Sequence, residues 1–453
     1  MTAKSENRNP KLATDFVSWF RSVAPYAHGF RGRTFVVAFG GQLVADRGFV
    51  EFVHDLNLLA SLGVRLVLVH GARPQIEARL KLGGVRTRYV RGMRVTNREA
   101  LECVKEAVGR ARSEVEALFS LGLPNSPMAN ADIRVASGNF VTARPVGVVD
   151  GVDLAYGGEV RKIDVAALRA RLDQGDVVLL SPMGYSPTGE IFNLTYEEVA
   201  SVSAIALRAD KLIFLMDAPG ITAPDGRLER ELTAGDGERL LEGGGLAQGE
   251  ASFLRHAVKA TREGVGRVHL IGRQLRGAVL LELFTREGVG TMVTRETMER
   301  LRTAGIEDVG GILALIQPLE EEGVLVKRSR ELLEREIGRF VVMEHDRVIV
   351  GCAALYPFPE KKAGELACLA VHPECRDQGY GDRLLAEIEA RARQARLRRL
   401  FVLTTRAEHW FVERGFKESG VTELPEAKQA LYNYQRRSIV LVKPLNPKSV
   451  DRG

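Results

Sequence analysis

The sequence predicts an α/β protein in two unlike parts, a mainly parallel sheet with helices on both faces followed by a smaller α+β domain. Short, almost wholly apolar runs, Thr34-Phe-Val-Val-Ala-Phe39 and Lys211-Leu-Ile-Phe-Leu-Met216 among them, alternate with amphipathic segments of helical period. Strands buried on both faces belong to parallel sheets covered by crossover helices. Beyond residue 295 the alternation changes to successive strands broken by a few helices. The chain's 453 residues also exceed what one core organises, a domain being about 150 residues.

Residues 11–30 carry Leu12, Phe16, Val17, Phe20 and Val23 at helical spacing and predict an amphipathic helix ending near Pro25. The strand at 34–39 leads into Gly40-Gly41 and a helix over 49–62; a strand at 64–69 leads into Gly71 and another helix. Residues 132–144, with Ser137-Gly138-Asn139 between two short strands, predict a hairpin. Further buried strands are expected at 176–180, 211–216 and 267–271, and helices at 96–119, 164–173, 195–208, 250–263 and 273–284. From 288 to 302 the strand signals fade into a turn and a stretch rich in Thr, Arg and Glu. The expected division is an N-terminal helix and arm at 1–30, a first domain at 31–290, a linker at 291–304 and a second domain at 305–453. In the second domain, helices at 306–321 and 329–337 precede strands at 340–343, 348–355 and 365–371, a helix at 381–396 and a strand at 400–403.

Composition removes several function classes. The chain is 45% hydrophobic and 27% charged, and no run approaches the ~18 apolar residues of a membrane span. The first ten residues are polar, without a signal core. Four cysteines, Cys103, Cys352, Cys368 and Cys375, are too few for a disulfide framework and fit a reducing, cytoplasmic setting. The balance of 64 basic against 58 acidic residues is a small surplus. Residues 391–399 hold five arginines; they read as a solvated helix face, from which one or two could meet a ribose phosphate. Without interleaved aromatics, nucleic acid is not expected.

The sharpest chemical signal is Glu365-Leu-Ala-Cys-Leu-Ala-Val-His-Pro-Glu-Cys-Arg-Asp-Gln-Gly-Tyr-Gly381. A buried strand ends at His372-Pro373, and Arg376-x-Gln378-Gly379-x-Gly381 then turns into a helix N-terminus. Glycines admit a ligand close to the backbone, and first-turn amides with the helix dipole suit a pyrophosphate. Cys368, His372 and Cys375 have metal-like spacing, but a strand cysteine is more often a small buried hydrophobe, so no metal is expected.

This strand–turn–helix resembles the acetyl-CoA loop of the GNAT acetyltransferases. The resemblance implies that Arg376, Gln378, Gly379 and Gly381 hold the pyrophosphate and that Leu369 and Val371 pair with the pantetheine arm. Acetyl transfer to an amine requires a base, for which Glu365 on the same strand is the candidate. The tyrosine that usually protonates the leaving thiolate is replaced by Phe411, which leaves Thr404 and Thr405 as the nearest hydroxyls. An acceptor with two carboxylates needs cationic ligands, and candidates lie at Lys327-Arg-Ser-Arg330, Arg406 and Arg436-Arg437.

In the first domain, Phe-Val-Val-Ala-Phe-Gly-Gly41, His70-Gly-Ala-Arg73, Gly-Met-Arg-Val-Thr96 and Leu-Leu-Glu-Leu-Phe-Thr-Arg-Glu-Gly-Val-Gly-Thr291 resemble the amino acid kinase fold, specifically acetylglutamate kinases. The phosphoryl-stabilising lysine of those enzymes is Ala38 here, Arg73 crowds the second glycine loop, and Leu194-Thr-Tyr-Glu197 replaces a catalytic Asn-Ala-Asp. Phosphoryl transfer depends on positioned positive charge, so a silent kinase domain is expected. Resemblance to arginine-regulated members implies an L-arginine site at Tyr26, His269, Glu282 and Gly288.

The two parts together resemble the bacterial N-acetylglutamate synthase family over residues 11–443, with further matches at Ala354-Leu-Tyr-Pro-Phe-Pro359 and Leu431-Tyr-Asn-Tyr-Gln-Arg436. The family resemblance implies transfer from acetyl-CoA, as co-substrate and not a tightly bound cofactor, to L-glutamate. It implies Glu365 as base, Thr404 as its polar partner, Arg328, Arg406 and Arg437 as glutamate ligands, L-arginine as inhibitor, and a homo-hexamer. A pure arginine sensor, a bifunctional synthase–kinase and a protein acetyltransferase remain alternatives on the residues alone.

Overall fold

A computed structural model describes residues 10–122, 126–223, 225–285, 287–346, 348–376, 378–429 and 438–445. The chain divides into two compact units, Met1–Glu296 and Thr297–Gly453.

An eight-stranded sheet organises the first unit, in the order Glu231–Thr233, Thr291–Thr294, Arg267–Gly272, Lys211–Met216, Thr34–Phe39, Arg65–His70, Val177–Leu180 and Val135–Ser137. All neighbours run parallel except Arg267–Gly272 with Thr291–Thr294. The strand pleat sends Val36 and Ala38 into one apolar layer and Phe35, Val37 and Phe39 into the other, which is why the central strands read as unbroken apolar runs.

Three sequence expectations are corrected here. The 132–144 segment is not a hairpin: Val135–Ser137 joins the large sheet beside Val177–Leu180, whereas Val141–Pro145 enters a separate four-stranded sheet. Phe140 between them packs into the apolar layer and separates the strands. The N-terminal helix does not stop at Pro25 but runs Pro10–Phe30; the packing of Phe30 on Phe35 and Phe284, with centroids 5.3 and 5.4 Å away, offsets part of an interior-proline cost of about 3 kcal/mol. The 291–304 segment expected as a linker holds two strands, Thr291–Thr294 in the first unit's sheet and Glu299–Thr303 in the second's.

The second unit is a seven-stranded sheet, in the order Glu299–Thr303, Phe340–His345, Val348–Phe358, Ala363–Val371, Arg399–Thr404, Ile439–Pro444 and Lys417–Ser419. Its one parallel pair is Ala363–Val371 with Arg399–Thr404. Helix Tyr380–Gln394 packs Leu384, Ile388 and Ala392 on one face; Val309–Glu321 and Arg330–Glu336 pack Ile312, Ile316 and Leu333 on the other.

Candidate functional site

The parallel pair of the second unit holds register only from Ala363↔Arg399 to Glu365↔Phe401. Beyond Glu365 each strand keeps only its outer neighbour, so a wedge opens with Glu365 at its apex. A bulge reinforces it: pairing with Val348–Phe358 slips between Cys352 and Ala354, and Cys368 adopts φ 51°. The bulge reverses the pleat, so Leu366 packs toward helix Tyr380–Gln394 whereas Cys368 packs on the opposite face.

Glu365 is buried, with its cross-strand partner Tyr356 on the same face. Lys428 Nζ lies 2.7 Å from Glu365 Oε2. Burial opposes the charge of Arg328, yet Cys368, Tyr356 and Glu365 beside it raise its pKa above the ordinary guanidinium value. The Tyr356 hydroxyl donates to Glu336 Oε2 at 2.8 Å. Burial pushes the Cys368 thiol up to about 11 despite the nearby Arg328, so the thiolate needed for an acyl-enzyme is scarce at neutral pH. At the end of its strand, Thr404 Oγ1 accepts the amides of Ala407 (3.0 Å) and Arg406 (3.4 Å), which leaves its hydrogen to donate elsewhere.

The glycine turn follows the wedge. Gly379 is the left-handed N-cap (φ 75°) of helix Tyr380–Gln394. A Cβ on Gly381 would stand 3.0 Å from Trp410 Cζ2, so a larger residue there would press on the indole. That ring is itself held by Arg414, stacked 3.9 Å from its centroid. Arg376 and Gln378 are exposed on the turn, and Leu369 and Val371 are half-buried on the strand before it. Phe411 is buried edge-on against Trp410 and Phe416, so the usual acid position is part of the core.

A second buried polar cluster lies in the first unit. His269 Nδ1 donates to Glu282 Oε1 (2.7 Å), while Nε2 faces Lys211 Nζ at 3.1 Å. Glu282 Oε2 also accepts the amides of Val289 (2.7 Å) and Gly290 (2.9 Å). Burial and Lys211 lower the His269 pKa to about 4. Burial would raise Glu282, but the N–H donors hold it at about 2. A Cβ on Gly288 would meet Glu282 Oε2 at 2.5 Å, so His269, Glu282 and Gly288 stand together, while Tyr26 packs on Phe284, two residues further along the helix that carries Glu282.

Two side chains, Arg73 and Tyr196, stand near the glycine loops of the first unit. The guanidinium of Arg73 stacks 4.4 Å from the Tyr89 ring centroid and also acts electrostatically on Tyr196 and Glu197. It is the ring of Tyr196 that lies 3.0 Å from where a Gly71 Cβ would be, and its hydroxyl that lies 3.6 Å from a Gly40 Cβ. Ala38 is fully buried in the strand before that loop.

The model of the Amino acid kinase family matches residues 33–272, and that of the Acetyltransferase (GNAT) family matches residues 311–416. An amino-acid acetyltransferase of Ralstonia nicotianae is 54% identical over 430 residues, which is 95% of each chain. One of Azotobacter vinelandii is 54% identical over 435 residues, 95% of this chain and all of that one. The chain belongs to the amino-acid acetyltransferase family. A crystal structure of N-acetylglutamate synthase from Neisseria gonorrhoeae complexed with coenzyme A and L-arginine is 41% identical, covers 95% of this chain and 100% of that one, and has TM-score 0.84. The same enzyme complexed with coenzyme A and N-acetyl-glutamate has TM-score 0.60. As a family member the chain is an amino-acid N-acetyltransferase, carried on an amino acid kinase domain followed by a GNAT domain.

Of the expected substrate ligands, Arg328 stands beside Glu365, whereas Arg406 is largely exposed and pairs with Glu322 Oε2 at 2.7 Å. Arg437 lies outside the described residues. Sequence reasoning missed Lys428 and Lys211. Lys211 had a signal, a lone cation opening a strand whose remaining residues are all apolar and buried; Lys428, in the four-residue helix Glu426–Gln429, had none. Cys368 and Cys375 pack on opposite faces of the sheet. Among the described residues, no group of three or more His, Cys, Asp or Glu could hold a metal ion, and no helix is long and apolar enough to cross a membrane.

Proposed function

We propose that the chain transfers the acetyl group of acetyl-CoA directly to the amine of L-glutamate, releasing N-acetyl-L-glutamate and CoA, the first step of L-arginine synthesis. The observation that carries this reading is the wedge itself: a buried carboxylate at its apex, the Thr404 hydroxyl on one lip, and the glycine turn beyond the other. In this scheme Leu369 and Val371 bind the pantetheine arm, and Arg376, Gln378, Gly379 and Gly381 bind the pyrophosphate. Glu365 takes one ammonium proton, the amine attacks the thioester carbonyl, and the tetrahedral adduct breaks its C–S bond, its second nitrogen proton passing to the departing thiolate, toward which the Thr404 hydroxyl donates. The substrate's ammonium competes with Lys428 for Glu365, and Arg328, with Arg437 and Arg406, attracts its carboxylates.

The reading extends to regulation and assembly. L-Arginine inhibits by binding the kinase-like unit, its guanidinium recognised by Glu282 beside His269, Gly288 and Tyr26, and the working form is a cytoplasmic homo-hexamer. The gonorrhoeal relative complexed with coenzyme A and L-arginine supports this assignment of ligands. The deciding experiment measures CoA release from acetyl-CoA with glutamate, with and without arginine. Glutamate-dependent release suppressed by arginine is expected; release that is independent of glutamate, or unaffected by arginine, would remove the corresponding half of the proposal.

A further inference from the structure

Tyr380 is the single residue between the two glycines of the turn, and its ring is buried in the apolar layer with Leu384 and Phe411. Apolar packing is non-directional and leaves such a ring free to slide, and with it the backbone on either side. Hydrogen bonds at its far end remove that freedom. The Tyr380 hydroxyl donates to Glu299 Oε1 at 2.7 Å and accepts from His345 Nδ1 at 3.0 Å. Glu299 Oε2 receives the guanidinium of Arg383, from the first turn of the same helix. Glu299 and His345 are direct cross-strand partners, so this anchor belongs to the edge of the sheet and not to the turn. Burial would raise the carboxyl pKa of Glu299, but Tyr380 and Arg383 together hold it below its ordinary value, a charged acceptor shared by two donors.

We propose that Glu299 is a positioning residue for the coenzyme turn: through Tyr380 and Arg383 it fixes where the amides flanking Gly379 and Gly381 present themselves to a diphosphate. The inference rests on the reading of that turn as the acetyl-CoA pyrophosphate site.

The test is steady-state kinetics and CoA calorimetry on the full-length protein, with thermal melting as a control. Tyr380→Phe and Glu299→Ala should each raise KM for acetyl-CoA and Kd for CoA about five- to tenfold, less than the full worth of one charge-assisted hydrogen bond because the effect on the diphosphate is indirect. Their kcat and glutamate KM should stay within about twofold. Glu299→Gln, which keeps an acceptor for the phenol, should recover most of the affinity. Arg383→Met should weaken CoA about as much as Tyr380→Phe, because it removes the second tie between this helix and Glu299. Variants that melt earlier but keep wild-type acetyl-CoA KM would overturn the proposal, as would a loss confined to kcat. Wild-type protein that fails to bind CoA would instead overturn the reading of the turn, so the two failures are separable.

Discussion

His269 and Glu282 face each other at 2.7 Å as a neutral imidazole donating to a carboxylate, with Lys211 closing the chain on the other ring nitrogen. The arrangement leaves a buried negative charge satisfied only by N–H donors, which is the environment a guanidinium would complete. Glu282→Gln should therefore raise the arginine concentration for half-inhibition at least about tenfold, the effect of removing one charged partner of a bidentate pair. Inhibition curves at saturating substrate check this; an unshifted curve would remove Glu282 from the effector site.

Acid should destabilise the first unit. Folding lowers the His269 pKa from 6.5 to about 4 and the Glu282 pKa from 4.5 to about 2. The unfolded chain thus binds protons more readily than the folded one in both windows, and stability falls as pH drops from 6.5 toward 4 and further from 4.5 toward 2. His70 and His256, both lowered to about 4 by burial, add the same sign, and with His269 and Glu282 they outnumber Asp55 and Glu197, which burial raises to about 6 and about 7 and which act in the opposite sense. Melting temperature should decline from pH 7 to pH 4, with a shallower slope in His269→Gln; equal slopes would show that His269 is not protonated differently in the two states.

Removing the carboxylate at the apex of the wedge should stop the chemistry without stopping binding. Glu365→Gln is expected to lower kcat by about 10²–10⁴, the usual range for a general base, with acetyl-CoA KM little changed. A loss below about tenfold would reject the role. Thr404→Val should cost about tenfold, and Thr404→Ser, which keeps the hydroxyl, much less.

Cys368 lies close to Glu365 and Arg328, but burial keeps its thiol protonated. Cys368→Ala should retain kcat within about threefold, and double-reciprocal plots should intersect. Parallel lines in the wild type together with an inactive Cys368→Ala would establish an acyl-enzyme in place of direct transfer.

The turn glycines serve different purposes and their substitutions should differ. Gly379→Ala meets no atom but must adopt φ 75°, which costs about 1 kcal/mol. Gly381→Ala meets Trp410 at 3.0 Å, a ring pinned by Arg414, so the turn must move instead. Gly381→Ala should raise acetyl-CoA KM more than Gly379→Ala, measured side by side.

Much of this molecule was legible locally. The apolar strands of the first sheet, the strand–turn–helix around Gly379 and the carboxylate at Glu365 declare themselves in contiguous residues, because buried parallel strands need unbroken apolar runs and a close-approach turn needs glycine. The errors had a common cause. Val135–Ser137 and Val141–Pro145 look like partners because they are neighbours in sequence, yet each finds a better partner elsewhere. Pro25 looked like a stop because a local rule cannot count the aromatic contacts of Phe30.

By itself, then, the sequence determined most of the segments that become strands and helices, where a glycine turn joins strand to helix, and that Ala38 cannot serve as a phosphoryl-stabilising cation. Tertiary structure decided the rest: that two strands part after Glu365, that the Tyr196 ring packs against Gly71, and that Lys428 and Lys211 reach carboxylate and imidazole far away in the chain. Local periodicity reports a residue's own burial, whereas a site is made by which distant residues share a buried charge, and that is fixed only when the sheets close.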